Sequence, residues 1–202
     1  MKFFDKIRGA IKEPTKFFHE IKKEKGIGHA LIFYIIFLVI NTLLSILYFT
    51  KVFSAVPELG AFAGAITAGL IVMQFIFSLV MLFIITGLVH LFSGWMKGKG
   101  KYEDTFKAMI YGMTPNLIFS PILMLYMGIV GIQNIMALIP MYLVSAGIGI
   151  WSIVLEIIGL KIAHKYSTWR AVLSLIIIPI VLVIIIAIIL VIIILAMMGI
   201  II

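Results

Sequence analysis

KKEKGIGHALIFYIIFLVINTLLSILYFTK, residues 22 to 51, places three lysines before an almost unbroken apolar run and a single lysine after it. At 1.5 Å per residue the run over residues 28–49 extends about 33 Å as a helix, enough to cross a hydrocarbon core of about 30 Å. Outward from it, comparable runs lie at 64–93, 105–127, 134–163 and 171–202. The sequence therefore predicts an all-α polytopic membrane bundle of five transmembrane helices.

The basic residues orient the bundle. Eight of the sixteen Lys and Arg lie between Met1 and Gly26; Lys97, Lys99, Lys101 and Lys107 flank the second link, and Lys161, Lys165 and Arg170 the fourth. With five spans, all of these fall on one side and only Lys51 on the other. Short basic segments are retained on the cytoplasmic side, so the N-terminus is expected inside and the C-terminus outside.

Composition agrees. A mean hydropathy of +1.28 with 64% hydrophobic residues leaves too little polar surface for a soluble domain. The net charge of +8 sits beside apolar spans rather than along one folded face, which points to anionic inner-leaflet lipid and not to nucleic acid. Cysteine is absent, excluding disulfide and thiolate chemistry. No cleavable signal peptide is legible, because charged, amphipathic residues precede the first apolar run.

Residues 1–27 read as a basic amphipathic interfacial segment and 28–202 as the five-span domain. Phe3, Phe4, Ile7 and Ile11 recur at helical spacing, Pro14 interrupts, and Phe17, Phe18 and Ile21 resume, with lysines between. That spacing predicts two short helices lying in the membrane interface, with Phe3, Phe4, Phe17 and Phe18 as anchors. The glycine and lysine alternation at Gly98 to Lys101 reads as a flexible basic loop. The fifth run would reach about 48 Å if wholly helical, so it must tilt, kink or protrude, and Pro179 offers the kink.

Intramembrane polar residues are the candidates for function, since burying them costs free energy unless partners are found. Glu156 is the one acid placed within a span. Ser145, Gly149, Ser152 and Glu156 follow at spacings of four, three and four, which stacks them on one helix face. Gln74 and Asn116 both fall near the bilayer midplane, within reach of a mutual hydrogen bond. Asn41, Thr42 and Ser45 form a smaller polar patch. Glu156, Gln74, Asn116 and Ser152 are the candidate intramembrane polar site, with structural hydrogen bonding favoured over transport. His90 and His164 lie toward inner span ends and can approach each other, but two histidines without carboxylates or cysteines are a weak metal signal. Gly60 and Gly64, extended by Ala68, and Gly149 are expected at close helix contacts within the bundle or between copies. No catalytic motif is present: G-x-S-x-G, H-E-x-x-H and G-x-x-x-x-G-K are all missing. No catalytic residue, metal site or cofactor is expected.

The run YGMTPNLIFSP, residues 111–121, carries two prolines six residues apart and predicts a broken or bent third span, tolerated only against protein or water. Three features together resemble the Yip family of Ypt/Rab-interacting proteins: Pro14 followed by Phe17 and Phe18; the Tyr-Gly-x-x-Pro element at Tyr111, Gly112 and Pro115; and WSIVLEIIGLKIAHKYSTWRAVL from Trp151 onward. The resemblance implies five spans, an inside N-terminus and, for Tyr111, Gly112 and Pro115, a family structural element. It also implies binding of a small GTPase or another cytoplasmic protein. The short basic lead, which lacks the acidic Asp-Leu-Tyr-Gly-Pro-like element of the eukaryotic members, looks more like the compact prokaryotic branch and hence a plasma membrane.

The expected role is a non-enzymatic scaffold that organises membrane or recruits a partner, in contact with membrane lipid and with itself as a homo-oligomer. The alternative is a small transporter, channel or lipid-translocating protein with a polar path near Glu156 and Asn116. The two separate on whether Gln74, Asn116, Pro115 and Glu156 line one cavity.

Overall fold

The computed structural model describes residues 1–54, 62–130, 135–177, 179–180 and 183–184, and every regular element among them is helical. Two short helices, α1 (Phe3–Lys12) and α2 (Pro14–Ile21), precede the long α3 (Gly28–Ser54) and α4 (Phe62–Trp95). Then come α5 (Tyr102–Gly112), α6 (Thr114–Val130), α7 (Ile135–His164) and α8 (Thr168–Val172), the last continuing into a π-helical turn, Leu173–Ile177.

Three helices are long and apolar enough to cross a membrane: Gly28–Phe53, Phe62–Trp95 and Met136–His164. Helices α5 and α6 meet the same criterion only as a pair, bent by 43°, which gives three to four candidate spans among the described residues. The bend occupies the expected stretch but falls at Met113, ahead of both prolines. Pro115 stands second in α6, where a missing N–H costs no helical hydrogen bond. The Tyr111 carbonyl, four residues before the proline, accepts instead from the Thr114 hydroxyl at 2.6 Å. The Asn116 N–H, displaced from its helical partner by the bend, donates to Ser152 Oγ of α7 at 3.3 Å. Two side chains thus satisfy the backbone that the break releases.

The fifth run begins as α8. Its first irregularity is the π turn, which precedes Pro179: the proline offers no donor to the Leu175 carbonyl and crowds it, and the turn before it widens. The run beyond Ile184 lies outside the described residues, as do Pro57 and Gly60.

Packing is centred on the bent span. Helix α3 packs most extensively on α6, and α5 on α7. Thr105 through Gly112 of α5 are all buried, whereas only 6% of the apolar window of α4 is covered. Helices α5 and α7 touch backbone to backbone at Gly112, where an added Cβ would stand 2.8 Å from both Cα and backbone N of Glu156. No side chain fits there.

One core cluster joins Ala10, Phe17, Phe18 and Ile21 of the leading helices to Phe33, Phe106 and Tyr111 of the spans. The first 27 residues are therefore continuous with the bundle core. The basic segments meet at one end. Lys22 Nζ donates to the Ile162 and Ala163 carbonyls at 2.9 and 2.6 Å, Gly26 N donates to Glu103 at 2.8 Å, and Lys99 N donates to the His164 carbonyl at 3.0 Å. Lys51 lies at the opposite end, where its Nζ donates to the Ile129 carbonyl of α6 at 2.8 Å.

The loop expected to be flexible is held by its glycines. A Cβ at Gly98 would stand 2.5 Å from the His164 ring and one at Gly100 would stand 2.6 Å from the Ala163 carbonyl oxygen. Their absence lets the loop lie against the end of α7, and Gly98 N donates to Ser93 O at 2.8 Å.

Replacing Gly112 by alanine is expected to destabilise the folded chain by about 1–3 kcal/mol through overpacking against α7. Gly149→Ala, where an added Cβ meets nothing within 4 Å, is expected to be neutral or mildly stabilising by helix propensity. Thermal unfolding of both variants in detergent micelles checks the opposite signs.

Candidate functional site

Three polar constellations sit on this frame. The first surrounds Tyr111, which is wholly buried. Its ring meets Phe17 edge-on, with centroids 5.3 Å apart, and Phe33 at 5.1 Å. Its hydroxyl accepts from Lys6 Nζ at 2.9 Å, and the same ammonium reaches Glu24 Oε2 at 2.9 Å. Lys6 is 4% exposed. Burial works against its charge, but the hydrogen bonds to Tyr111 and Glu24 outweigh it and hold the ammonium above the usual lysine value. Lys107 Nζ donates to the Glu24 carbonyl at 2.7 Å and pairs with Asp104 at 3.5 Å. Burial lowers Lys22, whose ammonium caps the carboxyl end of α7.

The second is a chain across the same end of the bundle. Gly100 N donates to Nδ1 of His164 at 3.3 Å, which places the ring proton on Nε2, 2.8 Å from the Thr105 hydroxyl oxygen. That hydroxyl lies 2.9 Å from Nδ1 of His90. Beside it, Tyr166 links Ser93 of α4 and Ser174 at 3.0 and 3.1 Å. The histidines thus approach as expected, with ring centroids 5.7 Å apart. Among the described residues no third metal-ligating side chain joins them.

The third is a cleft of about 300 Å³ in the middle of the bundle, between α3, α4, the bend and α7. Gln74, Asn116 and Glu156 line it together; Pro115 does not, and Ser152 is engaged with the Asn116 backbone behind it. Gln74 and Asn116 share the cleft without a hydrogen bond between them. Sequence reasoning missed Tyr34, Ser78 and Ser120 in its lining and set Asn41 in a separate polar patch with Thr42 and Ser45. The partner of Asn41, Ser120, to which its amide donates, lies 79 residues away.

A family model for the Yip1 domain matches residues 8–201. The chain belongs to the Yip1 domain family. It is accordingly an integral membrane protein, in keeping with its long apolar helices. No curated protein and no solved structure gave a significant match.

Within this Yip1 domain, Tyr111, Gly112 and Pro115 form the junction of α5 and α6 and are all buried: Lys6 bonds the Tyr111 hydroxyl, the Thr114 hydroxyl bonds its carbonyl, and Glu156 packs against Gly112. The N-terminal aromatics need correction. Phe17 and Phe18 are 2% and 4% exposed and point into the bundle, and Phe3 packs on Phe33 and Phe37. Only Phe4, 79% exposed, stands free to enter an interface. The physical reason is that the pocket around Tyr111 and Gly159 offers these rings a drier contact than the headgroup boundary does. The glycines predicted at helix contacts also differ. An added Cβ at Gly64 or Gly149 meets nothing within 4 Å among the described residues, so neither is a point of close approach among them; Gly60 is outside the described residues.

Lys6→Met should leave the Tyr111 hydroxyl and Glu24 without their common donor, loosening the first two helices by about 1–3 kcal/mol. Faster proteolytic release of residues 1–25 from the micelle-bound chain is the expected readout. Because the Lys6 ammonium is held above 10.5 in the folded chain, its contribution is complete below that pH and is lost as the pH rises through the raised value. Protection of the wild-type N-terminus should therefore hold to about pH 10 and fall above it, a step that Lys6→Met should remove.

Proposed function

We propose that this Yip1-domain protein is a non-enzymatic membrane scaffold that presents a fixed basic platform to anionic inner-leaflet lipid and, through it, to a cytoplasmic partner. The observation that carries the reading is the division of labour in the first 25 residues. Their apolar side is committed to the core around Tyr111, while Lys2, Arg8, Lys12, Lys16, Lys23 and Lys25 are all exposed. An interfacial helix that floats on lipid keeps its aromatics for the bilayer; here most of those aromatics bind the bundle, and the cations are held in place above it.

The reading places five spans in the membrane with the N-terminus inside and the C-terminus outside. It is supported by the meeting of the three basic segments at one end of the bundle, with Lys51 at the other. Anionic lipid attracts basic residues near its surface by roughly 1 kcal/mol each, and six exposed cations in the first 25 residues, one of them, Lys16, paired with Glu13 at 3.4 Å, give a lipid preference that salt weakens. The exposed apolar face of α4, with Val72, Met73, Ile76 and Phe77, suits lipid or a second copy of the chain. The membrane implied by the family resemblance is the plasma membrane of a prokaryote, and a small GTPase is one cytoplasmic partner the same resemblance brings forward.

The absence of cysteine makes the orientation directly testable. Single cysteines at Lys25, Lys99 and Ser167 should react with an impermeant maleimide only from the cytoplasmic side, and one at Lys51 only from the opposite side. For the platform, reversing Lys12 and Lys16 to glutamate should lower the enrichment of phosphatidylglycerol over phosphatidylcholine around the protein in mixed-lipid nanodiscs by roughly tenfold or more. The unfolding temperature should stay unchanged, and undiminished enrichment would sink the lipid-platform reading.

A further inference from the structure

The midplane cleft has a chemical bias that the scaffold role does not use. Glu156 is 7% exposed, lines the cleft, and makes no hydrogen bond or ion pair among the described residues. Its backbone is pressed against Gly112, so α7 cannot shift to bury the carboxyl more deeply. Asn41 spends its amide N–H on Ser120, and its Oδ1 is a buried acceptor with no partner. Gln74 and Asn116 add two further amides, and among the described residues no Lys, Arg or His side chain lines the space. The apolar part of the lining is Phe37, Leu38, Met113 and Leu117, with the ring of Tyr34. An unpaired carboxyl lining a low-dielectric cleft constitutes a demand for hydrogen-bond donors and positive charge.

The shape narrows the occupant. A volume of about 300 Å³ is far more than one water or one bare ion needs and stands at the lower end of small-molecule sites, ~300–1,000 Å³. Glu156 lies at the base, while Asn116 is exposed at the mouth. A ligand entering there leaves its remainder among the apolar surfaces of α4 and α6, which expose Phe77, Ile122 and Leu125.

We propose that this cleft is a binding site for the primary ammonium head of a membrane-dissolved amphiphile, with Glu156 accepting its hydrogen bonds and its chain lying in the lipid phase. The site is separate from the basic platform. It selects a cation within the membrane, whereas the platform selects anions at the surface.

The test uses the full chain in phosphatidylcholine nanodiscs and a long-chain primary alkylamine carrying a nitroxide on its tail, with the immobilised fraction read by electron paramagnetic resonance. Chain-matched alcohol and quaternary ammonium probes serve as comparisons. Wild type should immobilise the amine in preference to both. Glu156→Gln should weaken amine binding about ten- to hundredfold, the loss expected for a hydrogen bond to a charged group, while leaving the alcohol unaffected. Asn116→Phe, at an exposed position, should block the mouth and abolish binding of the amine at an unchanged unfolding temperature. Equal amine binding by wild type and both variants would overturn the proposal. So would displacement of the amine by millimolar sodium or potassium, which would assign the cleft to an inorganic cation.

Discussion

A tyrosine hydroxyl with no access to water must find a partner, and the partner that Tyr111 finds is an ammonium from the far end of the chain. Lys6 is 105 residues away in sequence and 2.9 Å away in space. Bringing it there carries α1 and α2 under the bundle, seats Phe17 and Phe18 in the core, and leaves Lys2, Arg8, Lys12, Lys16, Lys23 and Lys25 exposed while Lys22 caps α7. The next residue has the complementary constraint. Gly112 must remain without a side chain because the Glu156 backbone occupies that space, and this contact draws α5 onto α7. The hydroxyl and the missing Cβ, adjacent in sequence, join the two halves of the protein.

The break that follows is a consequence of the same junction. Continuing α5 straight into Pro115 would leave the Tyr111 carbonyl unpaired inside a membrane protein, which is costly where water is absent. The chain bends at Met113, Thr114 covers that carbonyl, and Ser152 takes the Asn116 N–H. The cleft adjoins the same junction, lined by Met113 at the bend, by Asn116, Leu117 and Ser120 of α6 and by Glu156 of α7. Packing, backbone satisfaction and the polar cavity thus meet at one place.

Much of the architecture is visible along the chain because its causes are local. Apolar runs of sufficient length mark the spans, basic flanks gather at one end, and paired prolines predict the bend in the third span. The assignments that changed depended on partners remote in sequence. Phe17 and Phe18 have the spacing of interfacial anchors, and nothing in residues 1–27 says that a pocket beside Tyr111 and Gly159 will take them. Gly98 and Gly100 read as flexibility until the end of α7 is seen against their bare Cα atoms. The Thr105 hydroxyl between His90 and His164 carries no signal in the sequence, since threonine near a helix start has many ordinary uses.

The same distinction runs through the polar residues. Composition and spacing determined that the protein is helical and membrane-embedded, that it is rich in cations on one flank, and that Glu156, Gln74 and Asn116 are out of place in a hydrocarbon setting; these follow from free energies of transfer, which each residue carries with it. Which polar groups satisfy one another, and which are left unpaired, was decided only by the tertiary structure. Hydrogen bonds and close contacts act over a few ångströms, and the distances between Lys6 and Tyr111, between Gly112 and Glu156, and between Asn41 and Ser120 exist only after the chain has folded.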